Sequence, residues 1–395
     1  MIDAGRLPLA EKSRLSLGYL RLTDSAPLIL AQELGYYEKY GLEVSLQREV
    51  SWANVRDKII TGDLDAAQLL APLPLATSLG VGGMRADVIT GLALSLNGNA
   101  ITLSQELDAA IEQRGGDAVT SARSTAVALG EYLSERASGS QLTFASAHSF
   151  SCHTFLLRHW LRAGGMDPDQ EVRIIVLPPE QMVDSLSRGI IDGFCVGEPW
   201  NTLAVQYGVG AVQASGYQIW NNGIEKVLGV LDQWHQTHPG AHLRLRLALM
   251  ETCSWLAQPD NRLQAASLLS HPDYLDLPVE ALLPSLSGRF VFTKGHEPVD
   301  LPDFHVFGRY QAGFPWRSHG EWMLQQCGEL LGKSLPQERV KSLVQQTYRT
   351  DLYREAARHL ELACPSRDYK PDNAHDQAWE FEPGVEVGSD LQLRP

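Results

Sequence analysis

The chain has 395 residues, 44% of them hydrophobic and 20% charged, which is ordinary globular composition with length for roughly two or three cores. A formal net charge of −14 argues against direct binding to nucleic acid or to anionic membranes, so any bound anion must be drawn by a local site. Five cysteines, scattered and without a C-x-x-C pair, argue against a disulfide framework or a thiolate metal centre. The opening MIDAGRLPLAEKSRLSLGYL lacks a basic stretch followed by an apolar run and a small-residue cleavage site, and no stretch approaches ~18 apolar residues. A cytoplasmic protein without a membrane segment is expected.

LSLGYLRL (15–22) reads as a strand, and Asp24 or Ser25 as the cap of a helix through LILAQEL that stops at Gly35. A short turn of helix, YYEKY, closes on Gly41, and LEVSL is the next strand. Ser51 caps a helix over WANVRDKII, ended by Gly62, and Leu64 to Leu70 is a buried strand. Strands and helices alternating at this spacing predict an α/β sheet with parallel pairs. The pattern recurs in a strand at LTFAS (142–146), a helix over 150–163, and a strand at EVRIIVL (171–177). Pro178-Pro179 then opens a helix over 180–188, Gly189 ends it, and IDGFCV is a strand.

These two units align. Gly62-Asp63-Leu64-Asp65-Ala66 reaches Pro72 in ten steps, and Gly189-Ile190-Ile191-Asp192-Gly193 reaches Pro199 in ten. Internal pseudo-symmetry follows, with two similar lobes facing each other. From 232 to 363 the apolar spacing is helical, as in LRLRLALMETCSWLAQ and QERVKSLVQQTYR. Residues 364–395 have no periodicity and form an extended tail, loose or wrapped on the body. No low-complexity linker divides the chain. The lobes are therefore interleaved, 14–100 with 228–363 making the first and 101–227 the second, with crossings near 100–115 and 215–230.

Where two α/β lobes meet, strand ends and helix N-termini point into the cleft, and helix N-termini favour anions. SWAN at 51, SFSCH at 149, PPEQM at 178 and GEPWN at 197 supply such turns. Trp52 can donate its indole N–H to an oxygen and floor a planar ligand, or serve as a half-buried packing residue. His153, early in its helix, can donate to an anion or be an ordinary core histidine. Lys226, in NGIEKVLGVL, is a candidate cation or a surface lysine, and Asn99, in LSLNGNAITLS, suits a turn as well as a site. G-x-S-x-G, Walker A and H-E-x-x-H are absent, so no catalytic constellation, metal site or cofactor is expected.

The stretches SWANVRDKIITGDLDAAQLLAPLP, RHWLRAGGMDPDQEVRIIVLPPEQMV, GFCVGEPWN and IEKVLGV resemble the nitrate- and bicarbonate-binding proteins of bacterial ABC importers, the NrtA/CmpA group, over roughly residues 14–365. The resemblance implies an α/β, two-lobed periplasmic-binding-protein fold of type II with the ligand cleft between the lobes. It places Trp52, Asn99, His153, Pro179 and Lys226 around a nitrate or nitrite, with backbone contacts from the Val196-Gly197 turn. The group has Gln where Asn99 stands. A cation at 226 suits an anion with no proton to give, such as nitrate, whereas a carboxylate there would suit bicarbonate. LNGNAITLS is similar to the cytoplasmic branch of the group, the sensors of the NasS–NasT regulatory pairs. That branch implies a sensor that sequesters an ANTAR-type RNA-binding antiterminator and releases it on anion binding. The importer's substrate-binding component is the alternative. A pyrimidine-precursor synthase on the same fold, which consumes an active-site His and needs a wide pocket, is a second alternative.

Overall fold

The computed structural model describes residues 7–81, 83–136 and 141–394; the first six residues, part of the stretch on which the expectation of no leader rests, lie outside these. Two mixed sheets with flanking helices make an α/β fold, and each sheet is built on a strand–helix–strand–helix–strand unit. In the larger sheet Arg14–Leu20 lies between Glu43–Glu49 and Ala66–Leu70, all parallel. In the smaller, Leu142–Ser146 lies between Val172–Val176 and Gly193–Gly197, again all parallel. The connecting helices start and stop for local reasons. Ser51 Oγ accepts from Asn54 N at 3.2 Å and Ser151 Oγ from Thr154 N at 3.1 Å, each satisfying a free N–H of a first turn. Gly62 closes Trp52–Thr61 at φ 83°, a left-handed conformation that side chains resist. The helix expected over 180–188 begins as a 3-10 turn, Pro179–Gln181, before Met182–Ser187.

Antiparallel strands carry the chain between lobes. Ala93–Asn97 lies in the larger sheet and Asn99–Ser104 in the smaller, so the crossing is at Gly98. The chain returns through the helix Gly216–Ile219 to Ile224–Leu231, antiparallel to Ala66–Leu70. Residues 99–100 thus belong to the smaller lobe and 224–227 to the larger, a shift from the boundaries expected at 100/101 and 227/228.

The two units match in detail. Asp65 N donates to Ser16 O, and Asp65 Oδ2 accepts from Ser16 N, both at 2.9 Å. Asp192 does the same with Thr143, at 2.7 Å each way. Each aspartate thereby locks the start of its sheet's third parallel strand to the first one. In both sheets the order runs returning antiparallel strand, third, first, second. The register matches too: Lys226 pairs with Leu70, two residues before Pro72, and Asn99 pairs with Gly197, two before Pro199.

One apolar cluster runs through both lobes, from Val55 and Ile59 to Phe144 and Trp160. The helix Pro239–Leu256 covers the outer face of the larger sheet, with Leu245 and Leu249 clustered against Leu17. Burial of each such side chain stabilises by about 1.5–3 kcal/mol. Residues 232–363 are mainly helical, with short strands such as His305–Val306 added to the sheet edge.

The C-terminal segment is wrapped on the body. Its hairpin, Trp379–Glu382 with Val385–Val387, buries Phe381 against Trp316, ring centroids 5.2 Å apart. It then follows the second crossing: Asn222 Nδ2 donates to Ser389 O at 3.0 Å, Asn221 N to Leu391 O at 2.8 Å, and Leu393 N to Ile219 O at 2.8 Å. Leu393 O also contacts His159 of the smaller lobe. Among the described residues no helix is long and apolar enough to cross a membrane.

Candidate functional site

At the lobe boundary a polar cluster is sealed from solvent. Lys226, 0% exposed, projects from the returning strand of the larger sheet. Its Nζ lies 2.7 Å from Asp24 Oδ2 and 2.6 Å from Glu225 Oε1. The strand's pairing with Ala93–Asn97 is irregular on both sides of Lys226, and the adjacent residues 225 and 226 bring their side chains together rather than to opposite faces. Glu225 is the hub. Its Oε1 also lies 2.8 Å from His153 Nε2, and its Oε2 accepts from Asn99 Nδ2 at 2.7 Å. Asp24 is anchored by Gln68, whose Nε2 donates to Oδ1 at 2.5 Å. The Trp52 ring lies 5.4 Å from Lys226 Nζ, a cation–π contact, and its buried Nε1 has no partner among the described residues. Asp24, Trp52, Gln68, Glu225 and Lys226 come from the larger lobe; Asn99 and His153 come from the smaller.

Two buried carboxylates face one ammonium, so each charge depends on its neighbours. Burial pushes the Glu225 carboxyl up, but Lys226 and His153 outweigh it and hold it at about 2. Asp24 is different: burial raises it, Lys226 opposes only in part, and it stays above the ordinary carboxylate range. Burial disfavours the Lys226 ammonium, yet Asp24 and Glu225 together raise its pKa above the usual value. Cys152, whose Sγ donates to Ile224 O at 3.2 Å, and Cys195 have thiols pushed well up by burial. The site therefore holds fixed charge and N–H donors rather than an activated nucleophile.

The structure brings Trp52, Asn99, His153 and Lys226 into this cluster. It does not bring Val196 or Pro179. Val196 O is taken by Asn201 Nδ2 at 2.9 Å, inside the smaller lobe. Its neighbour Gly197 makes the approach instead: a Cβ there would sit 3.1 Å from Asp24 Oδ2. Pro179 is buried in its 3-10 turn near the same boundary, where the next residue, Glu180, meets Arg21 Nη1 at 3.2 Å. Of the two caps expected, Asp24 or Ser25, Ser25 takes the N-cap position without a side-chain capping bond, and the Asp24 carboxylate turns inward to Gln68 and Lys226. Gln68 and Glu225 went unnoticed in the sequence. The lobes also touch through Thr23 N to Glu198 O, 2.7 Å, and Trp200 Nε1 to Arg21 O, 3.2 Å. Cavities of about 460 and 500 Å³ lie elsewhere, one against Asp232 and Arg349 and the other against Gly332 and Lys333.

Residues 9–270 match the NMT1-like family. The nitrate import ATP-binding protein NrtC of Synechocystis is 38% identical over 352 residues, covering 89% of this chain and 51% of that protein. The bicarbonate transport ATP-binding protein CmpC of Synechococcus elongatus is 36% identical over 355 residues, covering 89% and 50%. The chain thus spans about half the length of these curated relatives. The nitrate/nitrite binding protein NrtA of Synechocystis is 31% identical over 363 residues, covering 89% and 78%. The crystal structure of the periplasmic nitrate-binding protein NrtA from Synechocystis superimposes with a TM-score of 0.84 at 28% identity, covering 96% of this chain and 97% of that one.

Proposed function

The chain belongs to the NMT1-like family, and from that premise we propose that it is a receptor for a small monovalent oxyanion, nitrate or nitrite, clamped between its lobes. The observation that carries the proposal is Lys226. A fully buried ammonium stands at the lobe boundary among polar groups from both sides, with the Trp52 indole N–H unpartnered among the described residues. A charge-assisted donor suits an anion that brings no proton of its own. An anion touching Lys226 in one lobe and His153 in the other favours the closed arrangement. Calorimetric titration with nitrate, nitrite and bicarbonate is the test. At ~100 times the dissociation constant, nitrate adds about 2.7 kcal/mol to the folded state. Absence of nitrate and nitrite binding overturns the proposal. Bicarbonate is the competing ligand, because Asp24 and Glu225 offer acceptors to an anion that carries a proton.

For the role, the named relatives favour the substrate-receiving part of an anion importer. A second reading has one observation behind it: Asn99, whose amide enters the cluster from LNGNAITLS, the stretch similar to the cytoplasmic sensors. In that reading the protein sits in the cytoplasm, holds an ANTAR-type antiterminator and releases it when the anion binds. Co-elution on a sizing column separates the two. A complex with the antiterminator that nitrate dissolves supports the sensor, and association with membrane transport subunits supports the importer.

A further inference from the structure

The Glu225 carboxylate is bound as a ligand would be. It is planar, trigonal and singly charged, and it lies among three nitrogens: Lys226 Nζ at 2.6 Å, Asn99 Nδ2 at 2.7 Å and His153 Nε2 at 2.8 Å. Those are three of the nitrogens assigned above to the incoming anion. It also does what a ligand does between lobes. Glu225 is rooted in the larger lobe, while Asn99 and His153 belong to the smaller, so its side chain spans the boundary. Its oxygens take up Lys226 Nζ and Asn99 Nδ2, donors that a free anion needs, and its charge repels that anion at contact range.

We propose that Glu225 is a resident stand-in for the ligand: its carboxylate occupies the anion cradle, and a free oxyanion binds by displacing it. This rests on the receptor reading above for the identity of the cradle. Displacement sets affinity and specificity together. An anion gains only the difference between its own contacts and those Glu225 gives up, so weak acceptors that match fewer than three nitrogens are excluded. Closure also follows a different course from that of an empty clamp. The lobes are already bridged before ligand arrives, and binding exchanges one bridge for another.

The test uses the full chain, wild type and the variants Glu225→Gln and Glu225→Ala, titrated with sodium nitrate, nitrite, bicarbonate and formate at constant ionic strength, read by calorimetry and thermal melting. Gln keeps the shape and removes the charge, and Asn99 Oδ1, without a partner among the described residues, allows the Asn99 amide to turn and accept from the new NH2. The expected result is nitrate binding to Glu225→Gln at least tenfold tighter than to wild type. Glu225→Ala, with the carboxylate's place vacated, is expected to be stabilised by formate, which leaves wild type unchanged. Should Ala prevent folding, seen as lost ellipticity, Gln carries the test. Wild type that binds nitrate with variants that bind it no tighter overturns the displacement and leaves the receptor reading standing. Bicarbonate binding that Glu225→Gln weakens also overturns it, since Glu225 is then an acceptor for the ligand. Variants that bind nitrate or formate beside a wild type that binds no anion overturn both readings, since nothing then displaces Glu225 in the native chain. Failure of all three proteins with every anion overturns both.

Discussion

In the larger lobe the end of the third strand, Leu70, is paired with Lys226; in the smaller lobe the equivalent Gly197 is paired with Asn99. The same backbone position thus carries an ammonium on one side and an amide on the other. The contrast extends to the helix that follows each central strand. Its start carries Asp24 in the larger lobe and His153 in the smaller. Permanent charge is concentrated in the larger lobe, and the smaller contributes an amide and an imidazole. A duplicated scaffold can therefore divide labour: one half holds the charge that attracts an anion, and the other supplies the groups that read its shape and record closure.

The largest expected effect breaks the charged half. Lys226→Ala leaves Asp24 and Glu225 buried without their cation, which costs about 3–5 kcal/mol and abolishes the nitrate-induced stabilisation. Urea denaturation with and without nitrate measures both, and a stable variant with an intact nitrate response removes Lys226 from the site. The pseudo-symmetric change, Asn99→Ala, loses one hydrogen bond to a charged group, about 1.5–3 kcal/mol by the same assay. Equal costs at the two positions would erase the proposed division.

The matched aspartates sharpen the comparison at the scaffold level. Asp65→Ala and Asp192→Ala each leave a backbone N–H without its acceptor, about 1–3 kcal/mol. Asp65 is expected to cost more, because it also accepts from Trp234 Nε1 at 2.9 Å and meets Lys12 at 2.6 Å, the latter discounted for the exposure of the lysine. The smallest effect is a pH dependence confined to the smaller lobe. Glu198 precedes Pro199 where the larger lobe has Ala71 before Pro72. Burial pushes its carboxyl up to about 7, and the Thr202 bonds oppose this only in part. A folded pKa raised above the ordinary 4.5 contributes stability that is complete below 4.5 and is lost as pH rises through about 7. The denaturation midpoint is expected to fall over that window in wild type and to be flatter in Glu198→Gln.

Much of the scaffold was legible because local chemistry and fold agree along it. Ser51, Gly62 and Gly189 punctuate the units in the order the structure has them, and the ten-residue steps to Pro72 and Pro199 mark equivalent turns. By pattern alone Lys226 read equally as a surface lysine, and only the resemblance put it in the site; its burial comes from a strand paired on both sides, which composition does not announce. Asp24 and Ser25 were equal as caps because both have the composition for it; Ser25 holds the N-cap position, and only the buried lysine, distant in sequence, draws the Asp24 carboxylate inward. Glu225 was hidden by period-two alternation, which sends neighbours to opposite faces; the irregular strand pairing that brings it beside Lys226 leaves no mark in composition. The first crossing was misplaced by a few residues because one antiparallel strand ends and the next begins within one residue of the turn at Gly98, with no linker to announce it.

The tail has a mechanical consequence. Residues 389–393 are laced to 219–222, the second crossing, and Leu393 touches His159 on the smaller lobe. The joint is accordingly a ribbon of three strands of chain, two crossings and one passive strap. Rotation of the smaller lobe must carry that strap along or unzip it. The torsional stiffness of the joint is set in part by a segment far along the chain from every residue that faces the cleft.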